Sequence, residues 1–210
     1  MPPTITLTSN LWIDWAQIAI RHARRAREVR VLGVAAHVAG DQAAKNQYLF
    51  MEEVQLSLVA CTAAAFAVAG IDGVTRPLVP PAVVAGWATK SEHDQIRLAL
   101  EYCYACKGTL PATLVTEFKW LFGLVRNPGV HHKPTPAAPV THPVPGVGGV
   151  SAERALYLTE QSERAIEIML TVVELLCSEK LAKAPGAKKI ANDFAAAKFD
   201  TDLRAAWMAP

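Results

Sequence analysis

Residues 54–71 constrain the fold more than any other part of the chain. This stretch is apolar nearly all round and built largely from alanine, with Gln55, Ser57 and Thr62 as its polar breaks. A helix that is hydrophobic on every side belongs in a protein core or in a membrane. A span usually needs about 20 strongly apolar residues, and alanine drives insertion weakly. The expectation is therefore a buried central helix and no membrane partner. The other helices must then pack around it.

Apolar periodicity supplies those helices. A first helix is expected over residues 11–38, with Ser9 or Asn10 as its N-cap. Gly40-Asp41 marks a turn and a new cap. The central helix follows over 42–69, with Gly70 and Gly73 as its stop. Pro77, Pro80 and Pro81 make 74–89 a wrapped loop. Ser91 caps a helix to Cys106, and Thr109 caps another that ends near Arg126, because Pro128 disfavours helical geometry at Asn127. Five prolines and three glycines make 133–149 a long semi-extended loop. Ser151 then caps a long helix to 181, with Leu158, Ala165, Met169, Val172 and Leu176 as its buried stripe and Glu160–Arg164 as an i,i+4 pair on its wet face.

No sustained strand alternation and no internal repeat stand beside this pattern. The predicted class is all-α: a bundle of four to five helices, with a long Pro/Gly-rich loop before the last long helix. The helical domain is expected over 1–182. Residues 183–210 form a C-terminal tail or short helix, docked on the core or on a second subunit.

With 51% hydrophobic and 19% charged residues, the chain is not a disordered protein. Its net charge of +2 means that attraction to nucleic acid must come from local patches. No basic segment followed by an apolar one opens the chain, so a cytoplasmic location is expected. Cys103-Tyr-Ala-Cys106 has the form of a metal or redox motif. It lies in a helical pattern with no second pair, and a structural zinc needs four ligands. Two buried thiols one turn apart are the plainer reading, and neither a metal nor another cofactor is expected.

The segment Arg126-Asn127-Pro128-Gly129-Val130-His131-His132 carries the chemistry. Cleavage of RNA by its own 2′-OH needs a base for the hydroxyl proton, a cation for the phosphorane and an acid for the leaving 5′-oxygen. Histidine exchanges protons near neutral pH. Arginine is permanently charged and forks onto phosphate oxygens. Asn127 can hold a neighbour or a phosphate oxygen in register. Lys119, seven residues before Arg126, falls near the same helical face as a second cation. The competing reading makes Arg126 a cap on its helix dipole and the two histidines ordinary loop residues.

Arginine and histidine separated by four residues, with asparagine directly after the arginine, resemble the signature of the HEPN superfamily. The placement also resembles it: the motif ends one apolar helix, and a loop and a long amphipathic helix follow. The likeness covers roughly residues 10–181. It implies a helical bundle, usually a homodimer with two motifs meeting at one cleft. It also implies a metal-independent endoribonuclease that leaves a 2′,3′-cyclic phosphate, of the kind found in toxin–antitoxin and antiviral systems. A partner protein such as an antitoxin or defence component would belong to that setting. By the same resemblance, Arg126 would stabilise the phosphorane, His131 would be the acid/base group, with His132 the alternative, and Asn127 would position them. Pro128-Gly129 stands where many members carry helix-compatible residues. Some members keep the fold as non-catalytic modules that bind RNA, nucleotide or protein, which is the alternative reading here.

Other candidates are residue clusters. Arg21, Arg24 and Arg25, in a run reaching Arg30 with Glu28 opposing it, could hold RNA phosphates or form a solvated helix face. Glu52 and Glu53 could orient a histidine or Arg126, or form a salt bridge at the core edge. His142, among prolines, reads as a loop residue or a ligand. His22, His37 and His93 have no evident partners.

Overall fold

A computed structural model describes residues 11–104, 112–126 and 138–209 of the chain. They are mostly helical, with two short strands. The expected caps at Ser9, Asn10 and Thr109, together with Cys106, lie outside the described residues.

Helix α1, Leu11–Val38, buries one face of small side chains. Ala16, Ala19, Ala23 and Ala26 are fully buried, which lets a neighbouring helix come close. Gly40 turns the chain at φ +76°, a left-handed conformation that costs glycine nothing. Asp41 caps the next helix, its carboxylate accepting from the Ala44 N–H at 3.0 Å.

The second helical run comprises α2 (Gln42–Lys45), a π-helical segment (Asn46–Glu52) and α3 (Glu53–Thr75), and it closes in a 3-10 turn (Arg76–Leu78). It passes both glycines that the sequence offers as stops. A Cβ at Gly70 would lie 2.8 Å from the Trp12 Cβ, so this glycine serves the crossing of α1 and α3 rather than a helix end. Pro77, which cannot continue an α-helix, is the effective stop. Ala60, Cys61, Ala63, Ala64, Ala65, Ala67 and Val68 are buried, which makes α3 the central helix. The 42–78 run is long and apolar enough to cross a membrane, and half of its most apolar window is buried in the fold.

A short helix, α4 (Pro81–Ala85), stands within the expected loop. Helix α5 (Glu92–Cys103) starts at the expected cap, where the Asp94 N–H donates to Ser91 Oγ at 3.4 Å. It stops before Cys106. The Lys183 N–H takes the Cys103 carbonyl at 2.9 Å, and Tyr104 leaves in an extended conformation bridged to Ala182. Helix α6 (Ala112–Lys119) continues as a second π-helical segment, Trp120–Arg126.

The described end of the proline-rich stretch is a small antiparallel hairpin, β1 (Val140–Thr141) with β2 (Gly149–Val150), Val140 facing Val150. After it, the single long helix expected from Ser151 is two. Ser151 caps α7 (Ala152–Ala155); Leu158 is then extended, and α8 runs Thr159–Leu176. The break is set from outside, by a Glu53 carboxylate oxygen that accepts the Thr159 N–H at 2.9 Å. The expected stripe is buried from Leu158 to Leu176. The Glu160–Arg164 pair does not form. Glu160 pairs with Arg30 on α1, and Arg164 with Glu117 on α6.

The tail forms two helices instead of one, α9 (Pro185–Ala196) and α10 (Phe199–Met208), joined through Lys198 at φ +57°. Ala191, Phe194, Leu203 and Trp207 belong to the same core cluster as α1, α3 and α8.

Candidate functional site

Arg126 closes the second π-helical segment. Such segments are rare within helices and recur at functional sites, because the i→i+5 pattern re-aims the side chains that follow. Among the described residues, the Arg126 guanidinium reaches a neighbouring helix rather than the carbonyls of its own. Its Nη1 donates to Glu92 Oε2 at 2.5 Å, at the first turn of α5. The guanidinium carbon lies 5.4 Å from the Phe66 ring centre and 5.9 Å from that of Phe122, within cation–π range. Its Nε is buried with no acceptor among the described residues.

Lys119 is exposed and also addresses the start of α5. Asp94 is held below the usual carboxylate range, first by the Ser91 hydroxyl and further by the charges of His93, Arg97 and Lys119. The two cations expected on one face thus meet the same acidic turn. His93 shares that turn, its Nε2 3.1 Å from Ser91 Oγ. Asn127, His131, His132 and Pro128-Gly129 lie outside the described residues.

Glu53 takes part in a different constellation. It is fully buried and faces Arg30, not Arg126. Arg30 Nε donates to Glu53 Oε2 at 2.9 Å, and Arg30 also forks onto Glu160 at 2.6 and 2.8 Å. The Thr159 hydroxyl adds a donor at 2.9 Å. His142 is buried against this group, its Nε2 4.0 Å from Glu53 Oε2 and its ring edge-on to Phe50. It stands in the loop between β1 and β2, as expected, but is buried rather than open. The Val144 N–H donates to His142 Nδ1 at 3.0 Å, so the neutral ring carries its proton on Nε2. Burial holds the imidazole below its ordinary pKa; Glu53 and Glu160 oppose that, and Arg30 adds to it. For Glu160, burial pushes the pKa up, but the Arg30 hydrogen bond and charge outweigh it and leave the carboxyl lowered.

Arg21, Arg24 and Arg25 come together around one basin of about 530 Å³ on the outer side of α1. Ile20 and Leu203 supply apolar lining, and Glu28, paired with Arg25 at 2.6 Å, is the one acidic residue lining it. Arg24 reaches the Ala206 carbonyl at 3.4 Å. Arg27 and Arg30 leave the expected basic run, to Glu163 and to the Glu53–Glu160 pair. His22, which shares the basin, bonds the Ile18 carbonyl through Nδ1 at 2.9 Å.

Two of the cysteines sit where burial disfavours the thiolate. Burial pushes Cys61 up to about 12 and Cys177 to about 11. No cluster of three or more metal-ligating side chains occurs among the described residues.

Sequence reasoning missed Glu92, Phe66 and Phe122, which surround Arg126 from α5, α3 and the π-helical segment, and Trp15 of α1 behind them. Trp15 packs on the same Phe66 ring, with centroids 5.1 Å apart. Only an exposed tryptophan on a helix otherwise lined with buried alanines could have pointed to it. Comparison with family models, with curated proteins and with solved structures found nothing that matches this chain.

Proposed function

We propose that this chain is a HEPN-type endoribonuclease that cleaves RNA without a metal ion, acting as a homodimer in a toxin or antiviral setting. The observation that carries the reading is the anchored but partly open guanidinium of Arg126. One nitrogen is held on Glu92, two aromatic rings lie beside it, and 22% of the side chain stays exposed. A held cation with an open side is what a phosphorane needs as its charge develops. In this reading a base takes the 2′-OH proton as the 2′-oxygen attacks phosphorus. The bond to the 5′-oxygen breaks, an acid returns a proton to that oxygen, and a 2′,3′-cyclic phosphate remains. His131 is the acid/base group, with His132 the alternative, and Asn127 positions them. The Arg21–Arg24–Arg25 basin holds the RNA backbone.

The test is cleavage of RNA by the purified protein in EDTA, with end-group analysis. Arg126→Ala and His131→Ala should each lower the rate at least a hundredfold, the scale of general acid–base and charge-stabilising groups, with unchanged melting temperatures. If both variants cut as the wild type does, the reading is wrong. The Glu92 ion pair favours a second reading, since it already neutralises Arg126: a non-catalytic helical module that binds RNA, nucleotide or a partner protein. Wild-type protein that binds RNA and leaves it intact supports that alternative.

A further inference from the structure

Five tryptophans occur in the chain. Trp12, Trp87, Trp120 and Trp207 are at most 8% exposed, whereas Trp15 leaves 37% of its surface open. Burying an indole is among the larger gains a side chain can make, so the open one is the exception. Trp15 rests on Phe66, the same ring over which Arg126 lies. The indole and the guanidinium therefore share one phenyl ring as a neighbour. His22 follows Trp15 by seven residues, so it lies close to the same face of α1, and it lines the arginine basin.

From this ledge we infer that Trp15 is a stacking platform for an unpaired base, next to the nucleotide whose phosphate Arg126 takes. The inference rests on the reading of Arg126 as a phosphate-binding group, and it names the substrate class: RNA that is single-stranded at the cut. Bases inside a duplex are stacked on each other and offer no free face, whereas single strands present every face to an aromatic ring. The strand then runs along α1 from Trp15 towards Arg21 and Arg25.

The experiment uses the full-length protein, a fluorescein-labelled ten-nucleotide RNA with no self-pairing, and a blunt duplex RNA of ten base pairs. Binding is read by anisotropy and cleavage by gel. Trp15→Ala should weaken single-strand binding roughly tenfold, within the range measured for one lost base–aromatic stack, and leave duplex binding unchanged. Trp15→Phe should recover most of that loss, which separates stacking from damage to the fold. Trp15→Ala protein that binds the single strand as tightly as the wild type overturns the inference. So does an equal loss on both RNAs. If binding depends on Trp15 but no RNA is cut, the platform stands and the nuclease reading fails. If the wild type cuts and Trp15→Ala cuts and binds equally well, the nuclease reading stands and the platform fails.

Discussion

A carboxylate with no access to water persists only where donors and a counter-charge replace its hydration. Glu53 has both: Arg30 through two nitrogens, and Thr159 through its N–H and hydroxyl. Glu53→Ala leaves Arg30 facing Glu160 alone, empties a buried site and uncaps α8. Losing one partner of a buried pair costs about 3–5 kcal/mol. In a chain of this size that lowers the melting temperature by on the order of 10 °C. Circular dichroism melts read it directly, and a variant melting within about 2 °C of wild type would refute the role, since 1 kcal/mol alone moves Tm that far. The sequence marks Glu53 as a salt-bridge candidate at the core edge, and that much was legible. Its partners were not, because 23 residues separate it from Arg30 and 106 from Thr159. No local spacing rule reaches so far.

At the scale of elements, the β1–β2 hairpin is pinned by one histidine. Val144 and Glu53 approach opposite sides of the His142 ring, and the Nδ1 that accepts from Val144 is the atom a second proton would occupy. The folded pKa lies below the unfolded value of about 6.5. Above that pH the ring is neutral in both states and costs nothing. As pH falls below it, the unfolded chain binds the proton first and stability declines until the folded pKa is reached. Thermal melts should therefore lose stability as pH falls below about 6.5, and His142→Gln, which cannot titrate, should flatten that loss. An unchanged slope in the variant would exclude His142 as its source. The Glu160 contribution falls in a lower window, below the ordinary glutamate range, because Arg30 holds that carboxyl down. Elements were legible where the pattern was strong: α1, the central helix, the caps at Asp41, Ser91 and Ser151, and the buried stripe of α8. The errors share a cause. Gly70 read as a stop and serves packing, and the break at Leu158 comes from a carboxylate on another helix. The two π-helical segments follow no propensity that local composition records.

Over the whole molecule, α9 and α10 complete the core instead of trailing from it. The Trp207 ring is stacked beneath Arg27, 3.6 Å from the guanidinium carbon, and its indole N–H donates to Glu167 at 2.7 Å. Trp207→Ala should cost about 3–5 kcal/mol. A chain ending at Ala184 should associate or precipitate, because it bares the apolar faces that Phe194, Leu203 and Trp207 cover. Size-exclusion chromatography of the shortened chain checks this, and a monomeric, cooperatively melting product would contradict it. The class was legible from the whole chain, an all-α body around one alanine-rich helix. Placing residues 185–208 on that body was not, since a short amphipathic stretch has the same pattern whether it covers its own core or a neighbour's. The Glu53 cap also bears on the order of events during synthesis. Domains assemble N-terminal part first as the chain leaves the ribosome. Arg30 and Glu53 can join as soon as α3 forms, and Thr159 arrives 106 residues later. The first turn of α8 is then selected by a carboxylate already in place, so the early half of the polypeptide acts as a template for the late one.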